Sequence, residues 1–355
     1  MNNKSENLKK IDAWWFNNYQ EEGEILQPDF FTPISYLGVS ASIEDISLPF
    51  EIHVTAIDDS NTIMYEEVFK ITEELDDETN FIDIAENRIL FKHKVDTLEK
   101  NPSYLKVLYS DKNKKYSKTI KCRYSTLTGT TKDFDNKPFP AVVLLYRVGF
   151  AWSRHVMGVW SNEKGEFSTT VPNGKYNAFF IDDNTYKKTS LECWCWHMII
   201  DRDEEYHFKI GNGEVYSLTA WASNGGLDTM FIFFRPMVLD KDETYDKEID
   251  GKSFTIVDMW YDLQMEDINV SINGFQAKPI TLQKIYETGP DGYALPAYIL
   301  QVERSIPGNI LSEKQTLVLE YDTSKRKEKD DSVMLAQSQG TLQFFYNDNY
   351  GTYIE

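Results

Sequence analysis

The chain has 355 residues, of which 41% are hydrophobic and 14% aromatic, with 37 basic against 57 acidic side chains. This length exceeds what one core usually holds and predicts two or three domains. The net charge of −20 repels nucleic acid and anionic membranes, so neither is expected as a partner.

The N-terminal segment, residues 1–24, carries apolar side chains at helical spacing. These side chains are Leu8, Ile11, Trp14, Trp15 and Tyr19. The spacing predicts one N-terminal amphipathic helix. Such a helix either packs on its own protein or docks to a partner, with the tryptophan pair as its anchor.

The same segment bears on cellular location. Two consecutive lysines are followed by no apolar stretch, so a signal peptide is not predicted, and no segment approaches the roughly 18–20 apolar residues of a membrane span. Three cysteines, an odd number, argue against a secreted disulfide framework. We therefore expect a cytoplasmic protein without a membrane span, leaving open export by another route or a signal that has been removed.

In residues 25–122 the apolar residues recur at every second position. The stretch FEIHVTAI alternates apolar and mostly polar residues, and RILFKHKV and YLKVLYS follow it. Polar clusters at 58–61 and 111–114 interrupt these runs. Short alternating runs separated by polar turns predict a β-sandwich domain.

Residues 123–216 contain a recurring order of turn and strand residues. The first group is Gly129, Asp133, Lys137, Pro138, Pro140 and Ala141, and the second is Ser161, Gly165, Phe167, Val171, Pro172, Gly174 and Tyr176. On these residues, about 125–215 resemble the carboxypeptidase regulatory-like domain. The resemblance implies a transthyretin-like β-sandwich in a family that is structural or binding rather than catalytic. The turn residues at 162–165 and 172–174 predict two hairpins.

Residues 217–355 form a third β region. The apolar run TMFIFFRPMVL and several shorter runs are separated by turn signals, and Asn273-Gly274 predicts a tight hairpin. An immunoglobulin-like sandwich is expected here. The predicted fold class is therefore all-β, with tandem immunoglobulin-like and transthyretin-like sandwiches over 25–122, 123–216 and 217–355 after the N-terminal helix.

The stretch CWCWH is the most chemically suggestive in the chain. In a strand Cys193, Cys195 and His197 share one face, and Trp194 and Trp196 share the other. Neighbours on one face stand about 6.5–7 Å apart, whereas zinc bonds to its ligands are only about 2.0–2.3 Å long. We predict buried cysteines beside packed tryptophans, with no metal and no cofactor.

Ligand-binding residues are predicted from the insert VGFAWSRHVMG, which the carboxypeptidase regulatory-like pattern does not require. Binding and catalytic residues often lie in loops or insertions that a regular fold does not need. An arginine inside an apolar strand adds to the set, because a buried guanidinium needs an anionic or carbonyl partner, such as a ligand carboxylate or an acidic residue of the chain. The predicted ligand-binding residues are Trp152, Arg154, His155, Trp160, Trp194, Trp196 and Arg235.

Three functions remain open from the sequence. The first is a non-catalytic binding or assembly protein that recognises a protein partner. The second is an array of carbohydrate-binding modules that use exposed tryptophans as platforms. The third is an enzyme with a pocket between domains, for which the sequence supplies no catalytic residues.

Overall fold

The computed structural model describes residues 10–17, 35–76, 80–85, 88–147, 157–183, 185, 187–222, 227–239, 241, 243–259, 262–303 and 314–345. Within them the protein is all-β. Helix there is confined to a 3₁₀ turn at Met265–Asp267 and a single α-turn, α1, at Ser324–Lys327. Neither of these described helices has the length or apolarity needed to cross a membrane.

Nine strands build the N-terminal sandwich. They are β1 (Ile11–Phe16), β2 (Ser35–Ser42), β3 (Phe50–Ile57), β4 (Ile63–Ile71), β5 (Leu75–Asp76), β6 (Phe81–Ala85), β7 (Arg88–Val95), β8 (Tyr104–Ser110) and β9 (Lys115–Lys121). One sheet has the order β1-β2-β7-β6-β5 and the other β4-β3-β8-β9. The two sheets enclose the N-terminal core, which includes Trp15, Leu37, Val54, Phe91 and Leu105.

The runs predicted as strands by their alternation are confirmed here. FEIHVTAI, RILFKHKV and YLKVLYS are β3, β7 and β8. The polar clusters between runs form turns closed by aspartate. The Asp58 carboxylate accepts hydrogen bonds from the amides of Ser60 and Thr62 at 2.8 and 2.9 Å, and Asp111 caps the 111–114 turn in the same way.

The prediction of an N-terminal amphipathic helix is wrong, because the described residues of this segment form the strand β1. Ile11 and Trp15 pack into the N-terminal core, while Trp14 and Phe16 pack into the next core along the chain. A strand buried on both faces carries no period-two signal, and its apolar residues mimic a helical stripe. Residues 1–9 and 18–24 of the predicted helix lie outside the described residues.

Eight strands follow in the middle of the chain. They are β10 (Tyr124–Lys132), β11 (Val142–Arg147), β12 (Met157–Trp160), β13 (Glu166–Pro172), β14 (Gly174–Asp182), β15 (Cys193–Trp196), β16 (Ile199–Ile200) and β17 (Glu204–Lys209). Strands β13-β10-β17 form a three-stranded sheet. A Cβ added at Gly129 would collide with the carbonyl oxygen of Tyr206, so glycine permits the close parallel pairing of β10 with β17.

The described residues after β17 contain ten further strands. They are β18 (Gly213–Trp221), β19 (Thr229–Val238), β20 (Glu243–Ile249), β21 (Lys252–Asp258), β22 (Ile268–Ile272), β23 (Phe275–Ala277), β24 (Pro279–Thr288), β25 (Tyr293–Glu303), β26 (Lys314–Asp322) and β27 (Gln337–Phe345). A six-stranded sheet has the order β18-β19-β25-β21-β20, with β24 beside β25. A nine-stranded sheet has the order β12-β11-β14-β15-β27-β26-β22-β23, with β16 beside β14.

The nine-stranded sheet lies between two cores. Its β11, β14 and β15 side chains pack with the three-stranded sheet and with Trp14 and Phe16 in the middle core. Its other face packs against the six-stranded sheet in the C-terminal core, which includes Ile232, Leu300 and Leu319. Because β15 pairs in parallel with β27, one sheet carries strands from both sides of position 216/217. The division of the chain at that position stays a prediction.

The predicted turns are present, but two of them connect different partners from those expected. The turn at 162–165 links β12 to β13, and Asn173 links β13 to β14, yet each pair of strands lies in different sheets. These turns therefore pass between layers rather than closing hairpins. The Asn273-Gly274 hairpin is confirmed: both residues have positive φ, 52° and 78°, between the paired strands β22 and β23.

Candidate functional site

Strand β15 divides the CWCW side chains between the two faces of the nine-stranded sheet. Cys193 and Cys195 belong to the middle core, whereas Trp194 and Trp196 belong to the C-terminal core. All four are buried, as their alternation in a strand requires. The structure thus places the cysteines among packed apolar side chains, as the sequence predicts.

The cysteines are free thiols in the described structure. The hydrogen bond between Cys193 and Cys195, together with burial, raises the pKa of Cys193 well above its usual range. His197 lies just beyond the strand with φ of 54°, and burial lowers its pKa. Among the described residues, no three His, Cys, Asp or Glu side chains converge as ligands for one metal ion.

The tryptophans of β15 form a stacked pair inside the protein. Their ring centroids are 5.0 Å apart with planes 17° apart, and Tyr216 meets both rings edge-on. Trp160 is also buried, in a small cluster with Val142 and Leu144. Sugar rings stack on exposed aromatic faces, so these three tryptophans offer no platform for a carbohydrate.

Three buried carboxyl groups that the sequence analysis did not single out surround the N-terminal end of β15. They belong to Asp182, Glu192 and Glu214, with exposures of 6%, 9% and 3%. The Trp194 indole Nε1 donates to Glu192 Oε2 at 3.4 Å, and Glu192 is hydrogen-bonded to Glu214. The only sequence signal for this cluster is an acidic residue inside the apolar run LECWCW.

Burial governs the protonation of this cluster. It raises the pKa of Asp182 to about 7, with a further contribution from the negative charge of Glu192. Burial and the neighbouring Glu192 also raise the pKa of Glu214. A second negative charge beside the first is costly in an apolar setting, so the neighbouring Glu192 reinforces the effect of burial on Asp182 and Glu214. All three carboxyl groups are buried, so the raised pKa values of Asp182 and Glu214 belong to groups inside the fold rather than on an open surface.

Arg235 is partly buried and alternates along β19 with residues of the C-terminal core. Its guanidinium sits 5.1 Å from the ring centre of Tyr216 and its Nε lies 3.5 Å from Oε2 of Glu287. It also donates to the hydroxyl of Ser217. The anionic partner that the sequence analysis required is therefore an acidic residue of the same chain.

The surface around Arg235 is unusually apolar for the outside of a sheet. Along β19 the inward residues alternate with the partly exposed Phe231, Phe233 and Arg235, and Trp221 stacks on Phe231 with ring centroids 5.7 Å apart. Neighbouring strands add aliphatic side chains on the same side. We call this surface the outer aromatic face and define it by Trp221, Phe231, Phe233, Ile285, Leu295 and Ile299.

The predicted ligand-binding residues do not all fall together. Trp194 and Trp196 are in the C-terminal core, Trp160 is in a separate buried cluster, and Arg235 is beside the outer aromatic face. Trp152, Arg154 and His155 lie outside the described residues. A ligand site built on the insert stays a prediction.

Comparisons with known proteins leave the family of this chain open. No family model matches it, and no curated protein matches it. Among solved structures, the pilus 2b backbone protein of group B streptococcus is similar over 57% of this chain and 92% of that chain, at 9% sequence identity and a TM-score of 0.18. A likeness at that TM-score supports no argument about fold or function.

Proposed function

We propose that this chain is a non-catalytic binding or assembly protein that recognises a protein partner through its outer aromatic face. The observation that carries the proposal is the row of apolar side chains where a solvated sheet surface would be polar. Antiparallel sheets with one wet face normally alternate apolar-in with polar-out. Here Phe231 and Phe233 alternate with buried residues yet point away from the core.

The exposure of this surface supports a docking role. Trp221 is 36% exposed, and Phe231 and Phe233 are partly exposed. Contiguous apolar patches on soluble proteins mark interaction sites, and interface centres are enriched in aromatic residues and arginine. Arg235, held against Glu287, is placed to exchange its partner for a carboxylate or carbonyl of a docked protein.

Charge favours a different protein over a second copy of this chain. The chain carries a formal charge of −20, and two such molecules repel each other at low salt. The expected partner therefore presents an apolar patch with a neutral or basic rim.

The proposal is tested by crosslinking and then by affinity. A photo-crosslinking amino acid at position 221 should capture one reproducible partner, whereas the same group at the exposed Ile63 of β4 should not. With that partner purified, Trp221→Ala combined with Phe231→Ala should weaken binding by at least about tenfold. The matched control, Ile63→Ala with Val68→Ala, removes exposed apolar groups from another sheet and should leave affinity unchanged.

Two results would contradict the proposal. One is undiminished binding by the Trp221/Phe231 double variant. The other is concentration-dependent dimerisation of the chain by analytical ultracentrifugation that this double variant abolishes, which would make the partner a second copy.

We also infer that residues 123–216 are related to the carboxypeptidase regulatory-like domain. Local structure supports this: Asp133 closes the turn before Pro138 by accepting the amide of Lys137 at 2.8 Å, and the Tyr176 hydroxyl donates to the carbonyl of Pro172 at 2.6 Å. An experimental structure in which β10, β11, β13 and β14 superpose on a member of that family, strand for strand, would bear it out. A different strand order would exclude it.

A further inference from the structure

A cleft lies between the N-terminal sandwich and the middle strands. The residues that line it belong to other strands and other sheets than the residues of the outer aromatic face. The volume of the cleft is about 510 Å³. One wall is the crossing from β9 to β10 at 120–124, and the other is the turn between β13 and β14 at 172–175. Strands β1 and β2 complete the lining. Clefts of a few hundred Å³ are the size that small-molecule ligands occupy.

The lining has the opposite charge to the protein as a whole. Among the described residues, four cationic side chains and one carboxylate, Asp12, line the cleft, in a chain whose net charge is −20. The cationic residues are Lys10, Lys121, Arg123 and Lys175.

Three of these cations have no anionic partner in the described part of the chain. No described carboxylate lies within ion-pair distance of Lys10, Lys121 or Arg123, and all three are exposed. Elsewhere in the chain a lysine or arginine has an acidic partner, as Arg235 has Glu287, whereas Asp12 is the one carboxylate among the described residues that line this cleft. Like charges gathered in a partly enclosed space repel one another unless an anion enters.

We propose that this cleft binds a small molecule carrying at least two negatively charged groups, either carboxylates or phosphates. The hydroxyls of Ser40 and Ser42 and the amide side chain of Asn173, which also line the cleft, add neutral donors for its oxygens. Trp14 and Trp15 also line the cleft but are only 3% and 0% exposed, which leaves charge rather than ring stacking as the basis of recognition. This site is independent of the outer aromatic face.

The test is isothermal titration of the full chain with two probes, citrate for carboxylates and tripolyphosphate for phosphates. At low salt we expect one molecule of at least one probe to bind per chain, with affinity that falls as salt is added. Binding of citrate alone assigns the site to carboxylates, and binding of tripolyphosphate alone assigns it to phosphates. No binding of either probe at about millimolar concentration overturns the proposal.

A pair of variants separates a local site from the overall field. Lys121→Gln with Arg123→Gln should weaken binding by at least about tenfold. Lys112→Gln with Lys164→Gln makes the same change in net charge at exposed turn positions outside the cleft and should bind like the wild type. Equal losses in both double variants would mean that only the bulk charge matters, and would overturn the proposal.

A measurement on the wild-type chain keeps the test decisive if the Lys121/Arg123 variant unfolds. Hydrogen exchange with and without the bound probe should show protection at 120–124 and 172–175. Protection confined to any other segment places the anion elsewhere and overturns the proposal.

Discussion

Trp194 and Trp196 stack on each other inside the C-terminal core, with ring centroids 5.0 Å apart. We expect Trp196→Ala to lower the free energy of unfolding by about 3–5 kcal/mol, because a large buried aromatic leaves a cavity. Trp221→Ala is the matched control. Its ring is partly in water, so the loss should stay below about 1 kcal/mol. Urea denaturation followed by circular dichroism measures both, and equal losses would contradict the assignment of Trp196 to a packed core.

Stability should fall as the pH rises through neutrality. The pKa of Asp182 in the folded protein is about 7, against an ordinary value of 3.8, so the folded state keeps a proton that the unfolded chain releases. This contribution is fully present below about pH 4 and is lost as the pH rises through about 7. The same direction holds for Glu214.

The change Asp182→Asn isolates this effect. The amide stays neutral at every pH, so the variant should lose about 2 kcal/mol less stability than the wild type between about pH 5 and pH 8. Thermal unfolding of both proteins across that range measures the difference. Identical pH dependence would place the proton elsewhere.

The cysteines should resist alkylation in the native protein. Cys193 and Cys195 are 1% and 0% exposed, and burial raises the pKa of Cys122 to about 11. Because the thiolate is the reactive form, iodoacetamide near neutral pH should modify all three rapidly only in denaturant. Mass spectrometry of digested samples locates the label. Rapid native labelling of Cys195 would contradict its placement in the middle core.

Lys314 should be needed for stability because it is a buried cation in an ion-pair network. Its side chain is 4% exposed, with Nζ 3.1 Å from Oδ1 of Asp201 and close to the Glu204 carboxylate. Lys314→Met leaves Glu204, itself mostly buried, with only the more distant Arg202 at 3.9 Å, so we expect a loss of about 3–5 kcal/mol.

The double variant Lys314→Met with Glu204→Gln is the control for this network. It removes both charges and should recover part of the lost stability. Thermal unfolding of the two single variants and the double variant completes the cycle. Additive losses would show that Lys314 and Glu204 do not interact.

The sequence predicts strands well where one face is wet. FEIHVTAI alternates because Glu51 and His53 face outward while Ile52 and Val54 are buried. Asn273-Gly274 predicts its hairpin because few residues tolerate two successive positive φ angles. Strand β1 could not be predicted in this way. Trp14 and Trp15 pack into different cores, so the strand has no polar face and its residues do not alternate between apolar and polar.

The candidate sites depend on contacts that local patterns do not encode. The outer aromatic face depends on the strand register that places Trp221 beside Phe231. The sequence of β19 alone, which is almost entirely apolar, predicts a strand buried on both faces. Lys10 and Lys175 are far apart in the sequence and line the same cleft only in the folded protein. The sequence does predict that a buried Arg235 needs a polar partner. It does not identify Glu287 as that partner, because the chain contains many other acidic residues.

The parallel pairing of β15 with β27 sets an order for folding during synthesis. The described strands of the N-terminal sandwich all come from residues 11–121, so it can close early. The nine-stranded sheet pairs Trp194 of β15 with Gly340 of β27, so its centre stays unfilled until β27 has been synthesised. Until then the stacked tryptophans of β15 lack their neighbour, and the nascent chain carries an open, strongly apolar sheet edge. Chaperone dependence of this protein should therefore concentrate in the interval between the emergence of β15 and that of β27.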